Sequence, residues 1–111
     1  SMEEHPLLGA AITAAVTDYD SVVDLVRHHH ERIDGDGYPG RLRGLEISAP
    51  TRLFTLADAY SAMTTDRPYR KGFSPERAID EIHKGSGTQF DPDFAVAFVD
   101  LIERMYQEAA A

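Results

Sequence analysis

Apolar side chains recur at helical intervals along most of the chain, and nowhere do they alternate with the two-residue period of a half-buried strand. Leu8, Ile12 and Val16 share one face of a segment that Pro6 can open, which predicts a first helix over 6–16. Asp18 or Asp20 can cap a second helix over 20–31. Pro50 suits the first turn of a third, 50–66, which Arg67-Pro68 ends. Ser74-Pro75-Glu76 opens a fourth that stops at Gly85. Asp91-Pro92 opens a fifth, with a broad apolar side of Phe94, Val96, Phe98, Leu101, Ile102, Met105 and Tyr106. Residues 33–49 have no period and carry Gly35, Gly37, Gly40 and Gly44. A stretch of that length without structure inside a small helical domain is expected to be a functional loop. The pattern predicts an all-α bundle of about five helices in a single unit over residues 1–111.

Charge narrows the partners. With 11 basic and 19 acidic residues the net charge is −8, which argues against duplex DNA or an anionic membrane surface. A small anionic ligand gripped by two or three local arginines stays compatible. The absence of cysteine excludes disulfides and thiolate metal sites. No apolar run approaches the length of a bilayer span and nothing resembles a signal peptide, so the expected compartment is the cytoplasm. Ser1-Met2 ahead of Glu3 has the look of a cloning remnant.

Projected at about 100° per residue, Val22, Val26 and His29 fall together, with Leu25 and His30 to either side, while His28 and Glu31 point away. Two imidazoles thus extend an expected buried stripe. They are either packed, hydrogen-bonded histidines or metal ligands, and each needs partners for two ring nitrogens. Between Leu53 and Thr65 the one charged residue is Asp58. Leu53, Leu56, Ala57 and Tyr60 form an apolar face, and Phe54, Ser61 and Ala62 flank the carboxylate. A helix apolar nearly all round is expected at the centre of its domain, where a carboxylate needs a cation. The carboxylate is either bound to a metal, paired with an arginine such as Arg52, or used as a cap to a neighbouring helix. His5 shares the face of Leu8, Ile12 and Val16 and is a third imidazole candidate.

Imidazoles with one carboxylate suit iron, manganese or zinc. Asp34-Gly35-Asp36-Gly37 resembles a calcium loop, but Pro39 and Leu45 stand where that loop needs glycine and glutamate. Positive charge gathers in Asp66-Arg67-Pro68-Tyr69-Arg70-Lys71, as either a phosphate grip or a solvated helix end.

The run His29-His30-Glu31-Arg32-Ile33-Asp34-Gly35-Asp36-Gly37-Tyr38-Pro39 closely resembles the HHExxDGxGYP signature of HD-GYP domains. Ala57-Asp58, Thr64-Thr65-Asp66-Arg67-Pro68-Tyr69-Arg70 and Gly87-Thr88-Gln89-Phe90-Asp91-Pro92 continue the match, and His5-Pro6-Leu7-Leu8-Gly9 is similar to the family's earlier HPxxG segment. The resemblance implies a helical fold of the HD superfamily with a cluster of metals, iron or manganese or zinc, serving a phosphodiesterase of bacterial second-messenger signalling. By matching positions, it implies His5, His29, His30 and Asp58 as metal ligands. Tyr38 would contact cyclic di-GMP, and Arg67 with Arg70 would hold its phosphates. The loop bearing Asp34, Gly35, Gly37, Tyr38 and Pro39 is implied as a meeting place for a diguanylate cyclase (GGDEF) domain.

Departures from the family are specific. No His-Asp dipeptide occurs, Ser61 replaces a common second aspartate, and Arg41 replaces a frequent glycine. The expectation is a partial domain lacking the His-Asp pair, with weak or partial metal binding and no hydrolysis by this chain. The alternative is a degenerate module that binds cyclic di-GMP or a cyclase domain without cleaving anything. Apolar surface on the third helix is expected to favour a homodimer.

Overall fold

In the computed structural model, residue 13 and residues 18–110 are described. The first predicted helix, apart from Thr13, and the candidate His5 lie outside them. Four helices follow in order among the described residues: α1 (Tyr19–His28), α2 (Ala49–Thr64), α3 (Pro75–Gly85) and α4 (Pro92–Ala110). A 3-10 turn at Gly44–Glu46 interrupts the long loop between α1 and α2. Isolated bridges such as Asp34 with Arg43 are the extent of β pairing among the described residues.

Each start is built by its own cap. Asp18 accepts from the Ser21 amide at 2.8 Å, Ser48 from Thr51 at 3.3 Å, Ser74 from Arg77 at 3.2 Å and Asp91 from Phe94 at 3.0 Å. Proline in the first turn of α2 and α3 removes an amide that had no helical partner. α1 stops at His28, three residues earlier than its apolar spacing suggests, and His29 caps it through its amide to the Leu25 carbonyl at 3.0 Å.

α2 packs against the other three helices. Its Leu56, Ala57 and Tyr60 meet Ala78 and Ile82 of α3 and Ala95, Phe98, Val99 and Ile102 of α4 in one core, with Phe90 closing the turn before α4. Each large aliphatic side chain buried there contributes about 1.5–3 kcal/mol. Two details differ from the periodic reading. On α4 the inward positions are Ala95, Phe98, Val99 and Ile102, whereas Val96 and Leu101 are exposed, because α2 and α3 cover a narrower stripe than the apolar side allows. On α1 the inward residue is Leu25, while Val26 is 65% exposed, because its packing among the described helices is chiefly with α2.

Candidate metal and nucleotide site

The end of α1, the loop after it and the outer face of α2 enclose an open cleft of about 240 Å³, lined by His29, His30, Tyr38, Thr55 and Asp58 among others. The spacing of α2 explains the wall it supplies. Thr55 and Asp58 lie one turn apart on the side opposite Leu56 and Tyr60, so the helix turns its core face to α3 and α4 and its polar face to the cleft. The Thr55 hydroxyl lies 3.2 Å from the His29 carbonyl and 2.9 Å from the Thr51 carbonyl, which ties the histidine backbone to this face.

Asp58 is exposed, contrary to the buried carboxylate expected from its apolar neighbours. Its proposed arginine partner is occupied elsewhere: Arg52 donates to Asp91 at 2.8 Å and to the Ile47 carbonyl at 2.9 Å. The apolar residues around Asp58 serve a core on one side of α2 only, so water reaches the carboxylate from the other.

His29 Nδ1 lies 3.0 Å from both the Leu25 and the Val26 carbonyl oxygens. Carbonyls only accept, so Nδ1 carries the hydrogen, and in the neutral ring Nε2 keeps the lone pair. This is the orientation in which backbone carbonyls commonly hold a metal-binding imidazole. His30 is exposed rather than buried; its ring lies 4.0 Å from that of His29 and stacks on Tyr38 at 5.0 Å with 17° between planes. Because α1 has already ended, the helical projection no longer applies to His30.

The donors fit a borderline divalent metal in type, and His29 fits in tautomer. They do not complete a site. Among the described residues no group of three or more His, Cys, Asp or Glu side chains is close enough to hold an ion.

Glu31 departs furthest from the sequence reading, which turned it and His28 outward. It is 3% exposed. Its carboxylate accepts from the Gly40 amide at 2.7 Å, the Leu42 amide at 3.0 Å and His28 Nδ1 at 2.9 Å. Burial pushes its pKa up, but the His28, Gly40 and Leu42 bonds outweigh that and hold it below the ordinary glutamate value.

The rest of the loop is pinned at short range. Asp34 takes the Arg32 guanidinium at 3.0 Å and the Asp36 amide at 2.9 Å, and those partners lower its pKa. Its own amide donates to the Thr88 carbonyl at 3.0 Å, linking the loop to the turn before α4. Gly35 has φ of +85° and sits against the Arg43 side chain, where a Cβ would lie 2.8 Å from Nε. Gly37 is pressed onto the backbone of residues 30–32.

The two arginines after α2 sit differently. Arg67 is exposed. Arg70 is half-buried and donates to the carbonyls of Ala62 at 3.2 Å, Met63 at 3.5 Å and Lys71 at 3.2 Å, with its guanidinium 4.9 Å from the Phe73 ring centre. The backbones of the two residues bridge, Arg67 amide to Arg70 carbonyl at 2.7 Å.

Set beside known proteins, residues 1–94 match the HD domain family. This chain belongs to that family. Its motif run is of the HD-GYP type. A cyclic di-GMP phosphodiesterase of Pseudomonas aeruginosa is 40% identical over 102 residues, which are 91% of this chain and 24% of that protein. A cyclic di-GMP phosphodiesterase of Vibrio cholerae is 37% identical over 116 residues, 98% of this chain and 24% of that one. The HD domain described here thus spans about a quarter of the length of these relatives. A crystal structure of a cyclic GMP-AMP specific phosphodiesterase from V. cholerae has the same fold, with a TM-score of 0.65 at 24% identity over 87% of this chain and 22% of that chain.

Thr55 and Glu31 are among the residues of the HD domain cleft that escaped the sequence reading. Thr55 gave no signal, since a threonine on a helix is ordinary. Glu31 stood inside the motif run, and its place directly after the paired histidines was the available clue.

Proposed function

We propose that this HD domain supplies part of the active site of a metal-dependent cyclic dinucleotide phosphodiesterase, with cyclic di-GMP as the substrate. The observation that carries the reading is the meeting of His29, His30, Asp58 and Tyr38 on one open cleft. His29 and His30 offer imidazoles and Asp58 a carboxylate, and His5 is assigned as a fourth donor by its motif alone. A bound divalent metal such as iron or manganese supplies an acidified water and neutralises charge on a phosphodiester oxygen.

The chain's own groups do the positioning. The Leu25 and Val26 carbonyls fix the His29 tautomer, and Thr55 holds that histidine against α2. Tyr38 offers a ring face for a base to stack on. Arg67, exposed beyond the end of α2, and Arg70 are both assigned to phosphate oxygens through the resemblance, and the exposure of Arg67 leaves its guanidinium accessible for that role.

Hydrolysis is assigned to a site completed by further donors, because four candidates at most are present and no His-Asp dipeptide occurs. The P. aeruginosa and V. cholerae relatives named cyclic di-GMP phosphodiesterases, with the cyclic GMP-AMP specific structure, support a cyclic dinucleotide as the substrate class. The loop bearing Asp34, Gly35, Gly37, Tyr38 and Pro39 is proposed as the surface for a diguanylate cyclase domain. The test is metal analysis of the purified 111-residue chain with cyclic di-GMP titration and a hydrolysis assay. The expected result is nucleotide binding with substoichiometric metal and no turnover. Stoichiometric metal with cleavage overturns the incomplete site, and absence of nucleotide binding overturns the cleft's role.

A further inference from the structure

We propose that Glu31 is the positioning residue of the cleft: acting through the Gly40 and Leu42 amides, it holds Tyr38 against His30 and leaves the outer face of that ring for a nucleobase. The proposal rests on the nucleotide reading above and extends it to a residue that acts through the loop rather than as a metal donor.

The loop around Tyr38 is anchored on both sides, before it by the backbone of residues 30–32 and after it by the Glu31 carboxylate. Before it, Gly37 lies so close to Glu31 that a Cβ at 37 would come within 2.6 Å of the Glu31 Cα, and the Tyr38 amide points to the His30 carbonyl at 3.4 Å. After it, Gly40 and Leu42 donate to the two carboxylate oxygens at 2.7 and 3.0 Å. Tyr38 and Pro39 form the short span between these anchors. One face of Tyr38 stacks on His30, yet the residue remains 61% exposed, so its other face is open. A ring held in advance binds a base without first losing rotamer freedom.

The chemistry requires a carboxylate in particular. Gly40 and Leu42 present amide hydrogens, and His28 presents its Nδ1 hydrogen because the group facing it accepts. An ionised carboxylate accepts from all three. The amide of glutamine has nearly the same shape but turns its own N–H₂ toward one of these donors, so the isosteric variant breaks the clamp rather than rescuing it.

The experiment compares the 111-residue chain with Glu31→Gln by three readouts. These are the nuclear Overhauser contact between the Tyr38 and His30 rings, calorimetric binding of cyclic di-GMP, and uptake of manganese. The expected result is loss of the ring contact and binding weakened roughly tenfold, the scale of one base stacked on an aromatic ring, with manganese uptake and helical circular dichroism unchanged. A retained ring contact, or an affinity within about twofold of wild type, overturns the proposal.

Should Glu31→Gln fail to fold, Gly40→Ala takes its place. Position 40 is exposed, and a Cβ there would lie 3.1 Å from Glu31 Oε2, so the bond is strained with the glutamate intact. A weakened ring contact in Gly40→Ala supports the proposal and a wild-type contact overturns it. Failure of the wild-type chain to bind cyclic di-GMP refutes the nucleotide reading instead, while the ring contact still decides what Glu31 does.

Discussion

Arg52 and Asp91 meet at 2.8 Å between the first turn of α2 and the cap of α4, with both side chains largely buried. Asp91 serves two elements at once, since its second oxygen accepts from the Phe94 amide at 3.0 Å. Removing it leaves a largely buried guanidinium without its carboxylate and a helix uncapped. Asp91→Ala is therefore expected to cost about 2–4 kcal/mol in urea unfolding. Burial raises the Asp91 pKa, but the Phe94 amide and Arg52 together bring it below the ordinary value. A depressed folded pKa gives stability that is present above the unfolded value and lost as pH falls through the folded one. Wild type should weaken below about pH 4, and Asp91→Asn should flatten that part of the profile.

The same pair leaves Asp58 without its arginine. An exposed carboxylate that shares the cleft with His29 and His30 is expected, on the proposed function, to act in ligand capture rather than in stability. Asp58→Ala should leave the unfolding free energy within about 0.5 kcal/mol of wild type. It should also abolish the residual uptake of manganese by the chain. Unchanged metal content in this variant removes Asp58 from the site.

What could be read from the sequence, and what could not, divides along the range of the interactions. The described helix starts were legible because Asp18, Ser74 and Asp91 are local caps, and Pro50, Pro75 and Pro92 lie within a residue or two of their helices' first positions. The core face of α2 followed from Leu56, Ala57 and Tyr60 at helical spacing. His30 and Glu31 were misread because the projection was carried past His28, where the backbone leaves the helix. Glu31 then bonds to amides nine and eleven positions onward, a relation with no periodic trace. The exposure of Asp58 was hidden for a different reason. Apolar composition gave the burial of α2 as a whole, not which side its neighbours would leave open.

The two arginines after α2 should separate by experiment. Arg70 covers three carbonyl oxygens around the end of that helix, where a cation also favours the dipole. Arg70→Ala is expected to cost about 1–2 kcal/mol of stability. Arg67→Ala should leave stability within about 0.5 kcal/mol and weaken cyclic di-GMP binding by roughly tenfold or more, the loss of a charge-assisted hydrogen bond. Equal nucleotide affinity in Arg67→Ala and wild type assigns that side chain to the solvated surface.

Two glycines of the loop should respond differently to alanine, although a substitution chart would treat them alike. At Gly37 a Cβ collides with the Arg32 amide nitrogen and comes within 2.6 Å of Glu31 Cα and the His30 carbonyl oxygen. Those atoms are backbone and cannot rotate away, so Gly37→Ala must lift the loop from the end of α1. A cost of about 2 kcal/mol or more is expected, with loss of the Tyr38–His30 ring contact. At Gly44 φ is +48° and nothing lies within 4 Å of the added methyl. Gly44→Ala meets the left-handed backbone penalty alone, about 1 kcal/mol, and should keep the ring contact and the nucleotide affinity. If both variants keep the contact, the close packing of Gly37 on residues 30–32 is not what shapes the cleft.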